Sequence, residues 1–115
     1  MSVAIKRVYD PASRTDGKRI LVDRMWPRGV KKSEARVDEW LKDIAPSTEL
    51  RKWFAHDADK WAEFQKRYAA ELKNSTALAD LRKTAKDGPV TLVFAARDEK
   101  HNNAAALKRM LERSG

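Results

Sequence analysis

Val90-Thr91-Leu92-Val93-Phe94 is a continuous, β-branched, largely apolar run between Gly88-Pro89 and the polar stretch Arg97 to Asn103. Such a run, without polar alternation, suits a strand buried on both faces, as in a parallel sheet covered by helices. Ile20-Leu21-Val22 repeats the pattern. Val3-Ala4-Ile5-Lys6-Arg7-Val8 reads as a further strand, followed by turn-rich residues from Asp10-Pro11 to Asp16-Gly17. Between the early and late strands the period changes from 2 to 3.6. Trp61, Phe64, Tyr68 and Leu72 fall on one stripe of a long helix starting near Asp57, with His56 at its entry. Leu78, Leu81 and Ala85 form a second helix capped by Ser75 and stopped by Gly88-Pro89. Ser47-Thr48-Glu49 starts a short helix carrying Leu50, Trp53 and Phe54, and Ala104, Leu107, Met110 and Leu111 mark a C-terminal helix. The tryptophans at 26, 40, 53 and 61 read mostly as core residues on helical stripes. Strands, then helices, then a strand and a helix predict an α/β fold: a small three-layer domain with a short, mostly parallel sheet flanked by helices. Three or four strands are expected, with the segment around Val37 a candidate for one of them.

A length of 115 residues predicts a single domain over 1–115. Hydrophobic residues at 42% supply a core even though 37% are charged, so disorder is not expected. No apolar run approaches the ~20 residues of a membrane span, and no signal-peptide apolar region is seen at the N-terminus. The chain has no cysteine, which removes disulfides, thiolate nucleophiles, iron–sulfur clusters and cysteine zinc sites and fits a reducing cytoplasm. The formal charge of +8 is unevenly placed: residues 1–36 hold ten basic and four acidic side chains, the remainder fifteen and thirteen. Arg24, Arg28, Lys31, Lys32 and Arg36 crowd together, which reads either as a solvated basic face or as attraction for an anionic partner.

In open parallel sheets, ligands collect beyond the carboxyl ends of the strands, near helix N-termini. That rule selects two segments, Asp23-Arg24-Met25-Trp26-Pro27-Arg28-Gly29 and Ala95 to Asn103. Arg24, Arg28 and Arg97 are expected to converge on one anion, because guanidinium forks match carboxylate and phosphate. Asn102 would orient that ligand, and Trp26 would either stack on it or pack beneath the loop. His101 and Asp23 are the candidate catalytic groups. Asp23 reads equally as the partner of Arg24, Arg28 or a buried arginine, and Asp98 as a helix N-cap in preference to a catalytic acid. Gly-rich phosphate loops, nucleophile elbows, metalloprotease helices and an RNA-recognition signature are all absent. Two histidines far apart make a histidine metal site improbable, and no cofactor is implied.

Lys6-Arg7-Val8-Tyr9-Asp10 and Leu21-Val22-Asp23-Arg24-Met25-Trp26-Pro27-Arg28-Gly29 resemble the domain of unknown function 488 family, in its YeaO-like branch. Trp40 to Ser47, Leu50 to Phe54 and Ala95 to Asn102 continue the resemblance over essentially the whole chain. It implies a compact α/β fold and a bacterial-type cytoplasmic protein. The wider family often carries a cysteine after the last strand and a Cys-His-Arg-like element at the next helix. Here those places hold Ala95-Ala96 and His101-Asn102, so a rhodanese-like or phosphatase-like thiol reaction is ruled out unless another residue replaces the nucleophile. The expected function is binding of a small phosphate- or carboxylate-bearing ligand at the C-terminal edge of the sheet. The competing expectation is nucleic-acid binding or regulation through the basic N-terminal third.

Overall fold

The computed structural model describes residues 2–113; Met1, Ser114 and Gly115 lie outside the described residues. The elements run β1 (Val3–Arg7), β2 (Lys18–Leu21), α1 (Lys32–Ala35), β3 (Glu39–Trp40), α2 (Thr48–Phe54), α3 (Trp61–Glu71), α4 (Thr76–Asp87), β4 (Val90–Phe94) and α5 (Asn103–Arg113). All four strands are parallel, in the order β1-β4-β2-β3. β4 lies between β1 and β2, pairing Val90 with both Val3 and Lys18 and Val93 with both Lys6 and Leu21. Every residue of β4 is buried, as its unbroken apolar run requires. The extended piece expected around Val37 becomes the two-residue β3.

The two faces of the sheet are covered unequally. Ile20, Val22, Leu92 and Phe94 point into the main core, where they meet Phe54 of α2, Phe64 and Tyr68 of α3, Leu81 of α4 and Leu107 of α5. Each such fully buried large side chain contributes about 1.5–3 kcal/mol by leaving water. Leu21 and Val93 point the other way, into a small cluster with Val8 and Ala35. On that side the third layer is the four-residue α1 and a loop. Trp26 and Trp40 complete it, edge to face with centroids 5.4 Å apart.

This corrects the expectation for the tryptophans. Only Trp53 and Trp61 lie on helices, and all four are half-buried. Trp26 and Trp40 stand in for the long helix that the thin side lacks. Each anchors its indole N–H on a backbone carbonyl, Val30 and Asp23 respectively, at 2.7 Å.

The thin side also holds a buried ionic cluster. The turn Arg14–Asp16 sets Asp16 over the sheet, where its carboxylate meets Arg19 Nη1 at 2.7 Å and Lys6 Nζ at 3.0 Å. Arg19, only 4% exposed, also donates to the carbonyls of Ala35 and Arg36. Burial works against ionisation of Asp16, but hydrogen bonds from the Ser13 N–H, Lys6 and Arg19 outweigh it and hold its pKa below the ordinary value. Gly17 follows with φ 64°, and a Cβ there would collide with the Pro89 carbonyl oxygen, which instead accepts the Lys18 N–H.

On the thick side, Ser47 caps α2 by accepting the Leu50 N–H, while its own N–H and hydroxyl donate to Glu71 at the end of α3. Tyr68, fully buried, donates its hydroxyl to the Ile44 carbonyl. Burial, followed by the charges of Asp23 and Glu71, pushes its pKa well above the usual phenol range.

Candidate functional site

β2 and β4 end side by side, and their pairing continues where the Val22 N–H donates to the Val93 carbonyl. The next residues, Asp23 and Ala95, then meet directly. Asp23 Oδ2 accepts the Ala95 N–H at 2.9 Å and Oδ1 accepts Asn103 Nδ2 at 3.0 Å. Asn103 Nδ2 also donates to the Val22 carbonyl. Asp23 therefore ties two strand ends to the start of α5, and its hydrogen-bond partners are amides, where an arginine was among the expectations. Its pKa is raised, because burial outweighs the lowering by Asn103, by the Ala95 N–H and by the charge of Arg51.

The turn before α5 is built by two side chains. Asp98 Oδ1 accepts the N–H groups of Lys100 and His101, and Oδ2 lies 2.9 Å from His101 Nδ1. The hydrogen bond to His101, then those two backbone donors, lower the Asp98 pKa to about 2. Asp98 caps this turn and not the helix itself. The helix cap is Asn102, whose Oδ1 accepts the Ala105 N–H while its Nδ2 donates to the Asp98 carbonyl. Both ends of that amide are engaged within its own turn, and the residue is 3% exposed. That geometry makes Asn102 the cap of α5. His101 packs edge-on against Trp61, with centroids 5.3 Å apart and Nδ1 directed to Asp98.

A pocket of about 460 Å³ opens beyond these strand ends. Asp23, Arg24 and Trp26 reach it from the segment after β2, and His101, Asn102 and Asn103 from the start of α5. Arg51 and Lys52 line it from α2, with Phe54, Phe64 and His56 completing the wall. His56 reaches it because Ala55 and His56 both take left-handed backbone, φ 46° and 59°, as α2 ends. The structure thus gathers Asp23, Arg24, Trp26, His101 and Asn102 at one pocket. Arg28 and Arg97 are exposed and lie outside that lining, so the expected three-arginine convergence is replaced by Arg24 with Arg51 and Lys52. Arg28 instead offers its backbone carbonyl to the Tyr9 hydroxyl.

Arg51 and Lys52 were not anticipated, and Asn103, inside the selected Ala95 to Asn103 segment, was given no side-chain role. The signal for the first two lay in Ser47, whose cap starts α2 just beyond β3, on the same sheet edge. With Leu50 and Phe54 buried, Arg51 and Lys52 fall on the open side. Among the described residues, no group of three or more His, Asp or Glu side chains is gathered to hold a metal ion.

A family profile described as "Inactive DUF488-N3 subclade" matches residues 2–114. The chain belongs to this subclade. Similar proteins include the uncharacterized protein YeaO of Escherichia coli K12, 48% identical over 111 residues covering 93% of this chain and 94% of that protein. The uncharacterized protein Rv3073c of Mycobacterium tuberculosis H37Rv is 46% identical over 109 residues, covering 95% and 92%. No solved structure gives a significant match. In this DUF488-N3 chain the place after the last strand is held by Ala95 and Ala96, which lie in the lining of the pocket.

Proposed function

We propose that this protein binds a small phosphate- or carboxylate-bearing ligand in the pocket at the C-terminal edge of its sheet, without covalent chemistry on the ligand. The observation that carries this reading is the meeting of Arg24 with Arg51 and Lys52, from two separate elements, around one concave lining. His101 offers its second ring nitrogen to the same ligand, Nδ1 being engaged by Asp98. The alanines at 95 and 96, the lack of any thiol and the word "inactive" in the family description support binding over turnover. The cysteine-free composition also supports a cytoplasmic setting.

Thermal melting with inorganic phosphate and acetate tests the reading. An anion at ten times its Kd adds about 1.4 kcal/mol, which raises the Tm by roughly 5 °C in a domain of this size. Arg51→Ala is expected to lose most of that rise, and Arg97→Ala to keep it. If neither anion stabilises the wild type at concentrations up to tens of millimolar, the reading fails.

Nucleic-acid binding retains one supporting observation: Arg28, Lys31, Lys32 and Arg36 are all exposed and outside the pocket. It predicts a mobility shift at low salt that weakens steeply as salt rises. No shift at low salt removes it.

A further inference from the structure

The same pocket is polarised, and its walls are aromatic. Arg24, Arg51 and Lys52 are exposed, while Asp23 is half-buried and held at the strand ends by Ala95 and Asn103. Positive charge therefore stands at the rim and the one carboxyl group stands inside. An anion entering the pocket is drawn to the rim and repelled from the interior. What remains to be filled is apolar space against Trp26, Phe54 and Phe64, of a volume suited to a ring and its substituent. Trp26 is fixed by its hydrogen bond to Val30 and by its edge-to-face contact with Trp40. Phe54 is fixed by stacking on Phe64, with centroids 4.3 Å apart. Walls already locked by their own packing lose little rotamer freedom when a planar ligand settles against them.

We infer that the ligand is a planar aromatic acid, bound ring-inward with its phosphate or carboxylate on the Arg24, Arg51 and Lys52 rim. This rests on the anion-binding reading above and adds to it the ligand's body and direction. A ring substituent that donates a hydrogen bond suits the interior, because both Asp23 oxygens keep a lone pair beyond the bonds they already accept. A second anionic group on the far side of the ring does not.

Calorimetric titration with inorganic phosphate, phenyl phosphate, phenol and 4-carboxyphenyl phosphate tests this. Phenyl phosphate is expected to bind at least tenfold more tightly than inorganic phosphate. Trp26→Leu should cost phenyl phosphate more affinity than it costs phosphate, so that the ratio between them narrows. 4-Carboxyphenyl phosphate is expected to bind at least tenfold more weakly than phenyl phosphate, and Asp23→Asn should shrink that gap. Phosphate binding by each variant, measured alongside, shows that the fold is intact. Equal affinities for phosphate and phenyl phosphate would overturn the aromatic inference and leave the anion reading standing. Phenol binding as well as phenyl phosphate would overturn the anion reading. Failure of all four probes would overturn both.

Discussion

Asp23 lines the pocket and Asp98 stands behind it on His101, yet the two carboxyl groups shift in opposite directions. Asp98 is ionised in a ring of donors, so its pKa falls to about 2. The stability it lends is fully present above the unfolded carboxyl value near 4 and is lost as pH drops through about 2. Asp23 has fewer donors and more burial, and its pKa rises. The folded protein therefore holds that proton more tightly than the unfolded chain does. The resulting stability is fully present below about pH 4 and is lost as pH rises through the raised folded value. In urea titrations between pH 4 and pH 7, the wild type should thus lose stability relative to Asp23→Asn as pH increases. A constant difference between the two proteins across that range would show that Asp23 titrates normally. Asp98→Asn should show its difference from wild type shrinking instead as pH is taken below 4. The sequence left Asp23 open between a catalytic role and pairing with an arginine, and read Asp98 as a helix N-cap where it caps the turn before the helix. Adjacent charge and spacing do not report which donors face a carboxylate, and those donors decide the direction of its shift.

At the scale of elements, the start of α5 shows how two neighbouring asparagines divide their work. Asn102 turns back to cap the helix, while Asn103 reaches across to Val22 and Asp23. Losing a side-chain cap costs about 0.5–2 kcal/mol, so Asn102→Ala should lose that much unfolding free energy and show a lower urea midpoint. Phosphate affinity measured on the same variant separates a cap from a ligand contact. A contact would lose about tenfold, equivalent to about 1.4 kcal/mol, whereas a cap should change affinity by less than threefold. The longer helices and strands were legible because their apolar periods are long: Trp61 to Leu72, Leu78 to Ala85 and Val90 to Phe94 each declare one face or two, whereas the four-residue α1 declares none and was not foreseen. β3 was only glimpsed near Val37, because two residues carry no period. The left-handed pair Ala55-His56 carries no glycine to announce it, so the placement of His56 at the pocket was beyond sequence reasoning.

Over the whole molecule, the same basic residue type serves two physical ends that composition alone cannot separate. The excess charge of the first 36 residues looked like one surface. In the fold, Arg19 leaves that surface entirely and becomes the buried partner of Asp16, whereas Arg28, Lys31, Lys32 and Arg36 remain in water. Their energetic weights should differ accordingly. Breaking a buried ion pair by removing one partner strands the other charge and costs about 3–5 kcal/mol, a large share of the roughly 5–15 kcal/mol that holds a domain together. Arg19→Met should therefore melt far below the wild type. Of its two cationic partners Asp16 keeps only Lys6 in that variant, and Ala35 and Arg36 lose a donor each. Combining Arg28→Gln, Lys31→Gln and Lys32→Gln removes three times as much charge from exposed positions, where substitutions usually shift stability by less than about 0.5 kcal/mol each. Reducing the net charge also relieves self-repulsion in a basic chain. The triple variant should thus keep its urea midpoint close to that of the wild type, although it loses more charge than Arg19→Met. If Arg19→Met proved as stable as the triple variant, the Asp16 cluster would be no more than a surface pairing, and the thin face of the sheet would owe its cohesion to Leu21, Val93 and the two tryptophans alone.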